Sequence, residues 1–169
     1  FIIPPHDDDR LMLEPGDLVK VKGGVCESGK EPSRFSGIVG AIFDAHPDIK
    51  SIAVARPPEI MGFAVGDAEF DSRLIPESYI CLKEIRRHPF GTVQRSPGAI
   101  VSSISMKNPI AVVENDVVIV AGSSPLNAFD RLEVMEFGAF SIRQIKLCGG
   151  QIVRISDAEI REIETEFNL

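Results

Sequence analysis

The sequence runs to 169 residues, 44% of them apolar, which is enough for one domain with a single core and gives no reason to invoke a second. A net charge of -7 argues against a nucleic-acid or anionic-membrane surface, because either needs clustered Lys and Arg and the basic residues here are scattered. Cys26, Cys81 and Cys148 lie far apart without paired spacing, as expected of packed thiols in a reduced, cytoplasmic protein rather than of a disulfide framework or zinc knuckle.

No apolar run approaches the roughly 20 residues of a membrane span, and the first residues lack the basic-then-apolar layout of a signal peptide. The chain opens on Phe1-Ile2-Ile3-Pro4-Pro5, a strand-like start without an initiator Met, and is expected to be part of something longer. Asp7-Asp8-Asp9 follows as a turn, its adjacent acids solvated rather than spaced as in a calcium loop. Leu18 to Lys22 alternates as a half-buried strand and breaks at Gly23-Gly24, which predicts a hairpin. Ile38, Ile42 and Ala45 recur at helical spacing from Ser36, and His46-Pro47 ends that helix because the residue before proline disfavours helical geometry. Ser51 to Ala55 then reads as a buried strand.

Ile60 to Gly66 fits a short helix, and Ile75 to Ile85 fits a helix or a strand equally well. Within the second run Tyr79 is expected as a core ring with its hydroxyl at the rim. Lys83, Arg86, Arg87 and His88 form the basic cluster, expected as a solvated edge; the sharper alternative is a grip on an anionic ligand or on a neighbouring subunit's acidic face. From Ile110 a buried strand leads through a capped turn into a helix with Ser124 as its cap and Pro125 at its first position. Leu126, Phe129, Leu132, Met135, Ala139, Ile142 and Ile145 make that helix's apolar stripe, up to Gly149-Gly150. Ser123-Ser124 at its start also has the features of a weak anion-binding terminus. Gln151 to Ile155 is expected as a strand. Ser156 to Glu159 is a capping box opening a last helix with Ile160, Ile163 and Phe167 inward.

Three strings carry a resemblance. They are Lys30-Glu31-Pro32-Ser33 leading into the helix that ends at His46-Pro47-Asp48, the segment Ile75-Pro76-Glu77-Ser78-Tyr79, and the strand-to-helix run from Ile110 to Glu133. Together they resemble the class II aldolase/adducin family over nearly the whole chain, apart from the N-terminal helices and a glycine-asparagine loop that should come first. Residues 1–169 then form a single such domain, most similar to the second copy in proteins that carry two in tandem. The resemblance implies a three-layer α/β/α fold around a mostly antiparallel mixed central sheet. It also implies an oligomer, commonly a tetramer with active sites between subunits.

In active members of that family zinc is held by a His-X-His on the strand after the first long helix and by the His of an Asn-His-Gly. Alternate strand residues share a face, so such spacing aims two imidazoles at one ion. The resemblance places these ligand positions at Val54, Arg56 and Asp116, and the family's catalytic Glu at Phe35. None of the four is the expected residue, so no zinc and no acid/base chemistry is expected at them. Arg56 and Asp116 are expected to form a salt bridge in the vacated site, with solvent as the alternative destination for Arg56. Ser33, Arg56, Ser123 and Ser124 remain as possible anion contacts. The function so implied is that of a non-catalytic structural or regulatory partner, either as a homo-oligomer or beside an active aldolase-like domain. The alternative is a metal-dependent aldolase or epimerase acting on a sugar phosphate, with zinc as its cofactor.

Overall fold

The computed structural model describes residues 1–6 and 9–169, so Asp7 and Asp8 of the acidic turn lie outside the described residues. The chain divides into two compact units, Phe1–Pro47 and Asp48–Leu169. In the first, β1 (Ile2–Ile3), β2 (Val19–Lys22) and β3 (Val25–Cys26) form an antiparallel sheet in that order. Val19 and Val21 point inward and Lys20 and Lys22 outward, as their alternation predicts. Gly23 and Gly24, both at positive φ (57° and 76°), make the two-residue turn that the right-handed twist of the flanking strands favours. Helix α1 (Ser36–Ala45) buries Ile38, Val39 and Ile42, and Phe43 packs on Phe1 with ring centroids 5.6 Å apart.

The second unit is built on a four-stranded mixed sheet. Its strands are β4 (Ser51–Ala55), β5 (Arg86–His88), β6 (Ile110–Val113) and β7 (Val117–Gly122), in the order β4-β7-β6-β5. Only the β5–β6 pair is parallel. Every residue of β6 and β7 is buried, so both faces of the central hairpin are covered. On one face Ile110, Val112, Val118 and Val120 pack with Ile60 and Ala64 of α2 (Pro58–Ala64), Leu82 of α3 (Pro76–Leu82), and Met135 and Ala139 of α6 (Pro125–Leu147). Each such aliphatic side chain contributes about 1.5–3 kcal/mol by leaving water. The Glu136 carboxylate accepts from the backbone N–H groups of Glu59 and Ile60, both at 3.0 Å, and so caps the first turn of α2 from α6. The remaining helices are α4 (Thr92–Arg95), α5 (Pro97–Ser103) and α7 (Asp157–Glu166), the last opened by the capping box at Ser156 and Glu159. Among the described residues no helix is long and apolar enough to cross a membrane.

Several expectations need correction. Ser51 to Ala55 is half-buried rather than buried, because β4 is the edge strand of its sheet. The run from Ile110 is two strands and a turn, not one strand. Gln151 to Ile155 forms no strand; Val153 is exposed, and the segment is held through the Ile155 N–H on Arg73 O. On α6, Leu126 and Phe129 face outward, and Phe167 beyond α7 does too. Cys148 is exposed, not packed. The run around Tyr79 is helical, with the ring half-buried and its hydroxyl donating to Glu164 at 2.7 Å. That bond holds the phenol above its usual pKa.

Gly122 ends β7 where the first turn of α6 comes closest. A Cβ there would lie 2.6 Å from Ala128 N and 2.9 Å from its Cα, backbone atoms that cannot step aside. Gly122→Ala is therefore expected to cost about 1–3 kcal/mol of stability, read by urea unfolding. A variant as stable as the parent would show that α6 is not seated on the end of the strand.

Candidate functional site

The turn between β6 and β7 is pinned from three sides. Asp116 N–H closes it on Val113 O at 3.1 Å, Glu114 N–H donates to His88 O at 2.9 Å, and Asn115 N–H donates to Ala64 O at the end of α2 at 3.2 Å. Asn115 sits at φ 55°, a left-handed conformation that Asn accepts more readily than most residues. Thus Asn115 sets the geometry of the turn and delivers Asp116 to the start of β7, where only 7% of that residue is exposed.

Arg56 lies one residue beyond the Ala55–Val118 pair that ends the β4–β7 ladder, which brings it alongside Asp116. Its Nε donates to Asp116 O at 2.8 Å and its guanidinium reaches the Asp116 carboxylate at 3.1 Å. The expected salt bridge is therefore present. Asp116 is buried in it, while the Arg56 side chain remains 53% exposed. Val54, two residues back on the same strand and paired with Ile119, is half-buried.

These three positions do not fit a tetrahedral zinc ion. Val54 has no lone pair, Arg56 is a permanent cation, and the Asp116 carboxylate is already engaged by that cation. Among the described residues no group of three or more His, Cys, Asp or Glu is placed to hold a metal. In the first unit, Phe35 is buried at the start of α1 under the Arg34 guanidinium, 4.3 Å from its ring centroid. Ser33 is buried with its hydroxyl 3.5 Å from Phe35 N–H. Ser123 and Ser124 cap α6 from within: Asn127 N–H donates to Ser124 Oγ at 3.1 Å, and Asn127 Oδ1 accepts from Ser123 N–H at 3.0 Å.

The basic cluster separates because alternate residues of β5 face opposite ways. Arg87 clamps a loop through the carbonyls of Gly66 and Ala68, at 2.9 and 3.0 Å, and through Glu114 at 3.2 Å. His88 is buried instead, with Nε2 2.9 Å from Ser103 Oγ. Burial, and secondarily the nearby Arg86 charge, hold the His88 pKa below its ordinary value. Neither arrangement was read from the sequence. The available signal was the alternation of Arg86-Arg87-His88 just before Pro89, where proline commonly follows a strand.

Two measurements test this geometry. Arg56→Ala removes one partner of a nearly buried carboxylate and is expected to cost about 1–2 kcal/mol, discounted for the exposure of the guanidinium. A double-mutant cycle with Asp116→Asn should give a favourable coupling; additive losses would show the pair to be incidental. For His88, a depressed native pKa means that the unfolded chain binds the proton more readily. Its contribution is fully present above the ordinary value of 6.5 and is lost as pH falls through that value toward the lower native one. The stability gap between wild type and His88→Gln should therefore shrink below pH 6.5; a gap that widens on acidification would contradict a buried neutral imidazole.

The comparisons with known proteins follow the same fold. The chain superposes on YgbL of Escherichia coli, a candidate aldolase/epimerase/decarboxylase, with a TM-score of 0.82 at 20% identity, covering 95% of this chain and 79% of that one. An L-fuculose 1-phosphate aldolase gives 0.76 at 18% identity over 99% and 80% of the two chains. The L-fuculose-1-phosphate aldolase of Thermus thermophilus gives 0.74 at 14% over 89% and 80%. No curated protein sequence matches significantly. The profile described as the class II aldolase and adducin N-terminal domain matches residues 1–141, spanning the boundary between the two units, and the chain belongs to that family.

Proposed function

We propose that the chain is a class II aldolase-like domain that works without zinc and without the family's catalytic Glu, as a structural or regulatory partner of an active copy in tandem or across an oligomer interface. The observation that carries this reading is the Arg56–Asp116 ion pair at two of the three positions that the resemblance assigns to metal ligands. Val54 at the third and Phe35 at the Glu position offer neither a ligand atom nor a proton acceptor. Residues 1–169 act as one domain in this reading, since the family match crosses from the first unit into the second. Its partners are copies of itself or an active aldolase-like domain in the cytoplasm, not nucleic acid and not a membrane. Ser33, Arg56, Ser123 and Ser124 are the residues left to meet an anion.

The second reading is a metal-dependent aldolase or epimerase cleaving a carbon–carbon bond in a sugar phosphate. Family membership and the L-fuculose 1-phosphate aldolases among the structural neighbours favour it. It requires metal ligands beyond the three assigned positions.

Elemental mass spectrometry of unchelated protein, grown with added zinc, manganese and iron, separates the two. The first reading expects clearly substoichiometric metal in the wild type and about one zinc in the triple variant Val54→His, Arg56→His, Asp116→His, which rebuilds a three-imidazole site. About one metal per wild-type chain would transfer the case to the second reading and call for sugar-phosphate cleavage assays.

A further inference from the structure

Lys83, Arg86 and Arg87 line a cleft of about 780 Å³ in the second unit, and His88, the fourth basic residue of the sequence cluster, lies outside it. The volume is that of an ordinary small-molecule site. Its apolar lining includes Phe63, Phe70, Val112 and Met135, with the two phenyl rings edge to face at 5.7 Å. Arg73 and Arg154 add to the wall, so that five cations face three carboxylates, Glu69, Asp71 and Glu84, although the chain as a whole carries -7.

Most of these cations are already engaged. Arg154 pairs with Asp71, Arg73 with Asp157, and Arg86 with Glu84 at 2.7 Å, the last an exposed pair that exchanges easily for another anion. Two groups stand apart. Arg73 Nε is enclosed and lacks an acceptor among the described residues. The half-buried Lys83 has no ion pair or side-chain hydrogen bond there either. Lys83 also ends α3 at φ 47° and ψ -114°, a positive-φ conformation that glycine adopts far more easily than lysine, and the buried Ser72 hydroxyl holds it by donating to Lys83 O at 2.8 Å. The cleft thus combines a lysine that has no ionic partner among the described residues with the Phe63 and Phe70 rings.

We propose that this cleft binds a small organic anion, with an aryl body against Phe63 and Phe70 and its carboxylate or phosphate oxygens on the Lys83 ammonium, Arg86 supplying the second contact. The site is separate from the Arg56–Asp116 pair and does not depend on whether that pair excludes metal.

The test uses the full chain in EDTA, titrated with phenyl phosphate, phenylacetate, inorganic phosphate and benzyl alcohol, and followed by amide NMR shifts. Expected are saturable shifts at Phe70, Ser72 and Lys83, with an aryl anion binding about tenfold more tightly than either inorganic phosphate or benzyl alcohol. The stronger of the two aryl anions identifies the head group. Lys83→Gly relieves the positive-φ strain, so it should fold at least as stably as wild type while binding about tenfold more weakly; Lys83→Met should lose binding equally, and Lys83→Arg should keep it. The proposal falls if no probe gives saturable shifts in the millimolar range, if inorganic phosphate matches phenyl phosphate, or if Lys83→Gly binds as wild type does.

Discussion

The β6–β7 hairpin is covered on both faces, and a strand so placed has no water to satisfy its N–H and C=O groups, so both of its outer edges must find strand partners. β4 meets that need along β7 and β5 along β6. The charged residues lie on β5 and just past the end of β4, at margins where a long side chain can leave the apolar layers. Arg56 and Arg87 both sit at such margins. The chemistry of the unit is thus concentrated where the buried hairpin ends: the turn at Glu114–Asp116, the end of β4 and the end of β5.

Where the sequence carried a strong local code, the structure follows it. Helix α1 begins at Ser36 and ends before His46-Pro47; α6 begins at Pro125 after Ser124; α7 opens with its capping box; and Gly23-Gly24 turns a hairpin. Each of these signals acts within a few residues. What could not be read depends on distant partners. The apolar run from Ile110 to Ala121, interrupted by Glu114-Asn115-Asp116, is compatible with one strand or two, and only the pairing with β4 and β5 distinguishes them. The outward faces of Leu126 and Phe129 follow from where α2 and α3 dock on α6, which helical periodicity alone does not specify. β5, α4 and α5 escape a reading by periodicity because each is short, and their places are set by distant or mutual partners: β5 pairs with β6, while α4 packs on α5 and α5 on β5.

The site was legible in a different sense. Arg56 and Asp116 were singled out because a resemblance assigned ligand positions to them, and their mutual contact follows from complementary charge once β4 and β7 are in register. Their burial did not follow from sequence, since exposure of Arg56 depends on where the ladder stops. His88 illustrates the converse: grouping it with Lys83, Arg86 and Arg87 as one basic edge treated charge as a property of the string, whereas strand alternation sends it into the protein as a neutral ring.

An arginine at a position that the resemblance assigns to a metal ligand does more than lack a lone pair. A guanidinium about 4 Å from a dication, at the effective dielectric of a protein surface, opposes it by roughly 8 kcal/mol. A full set of zinc ligands gains about 10–16 kcal/mol in small zinc domains, and a single carboxylate supplies only part of such a set. For an ion to use Asp116 it would therefore have to break the pairing with Arg56 and turn that side chain to solvent, which its 53% exposure makes geometrically feasible but which leaves the carboxylate as the sole donor among the three positions. The balance favours the ion pair over the metal. The pair also ties the end of β4 to the turn before β7, since Arg56 reaches both the Asp116 carbonyl and the Asp116 carboxylate.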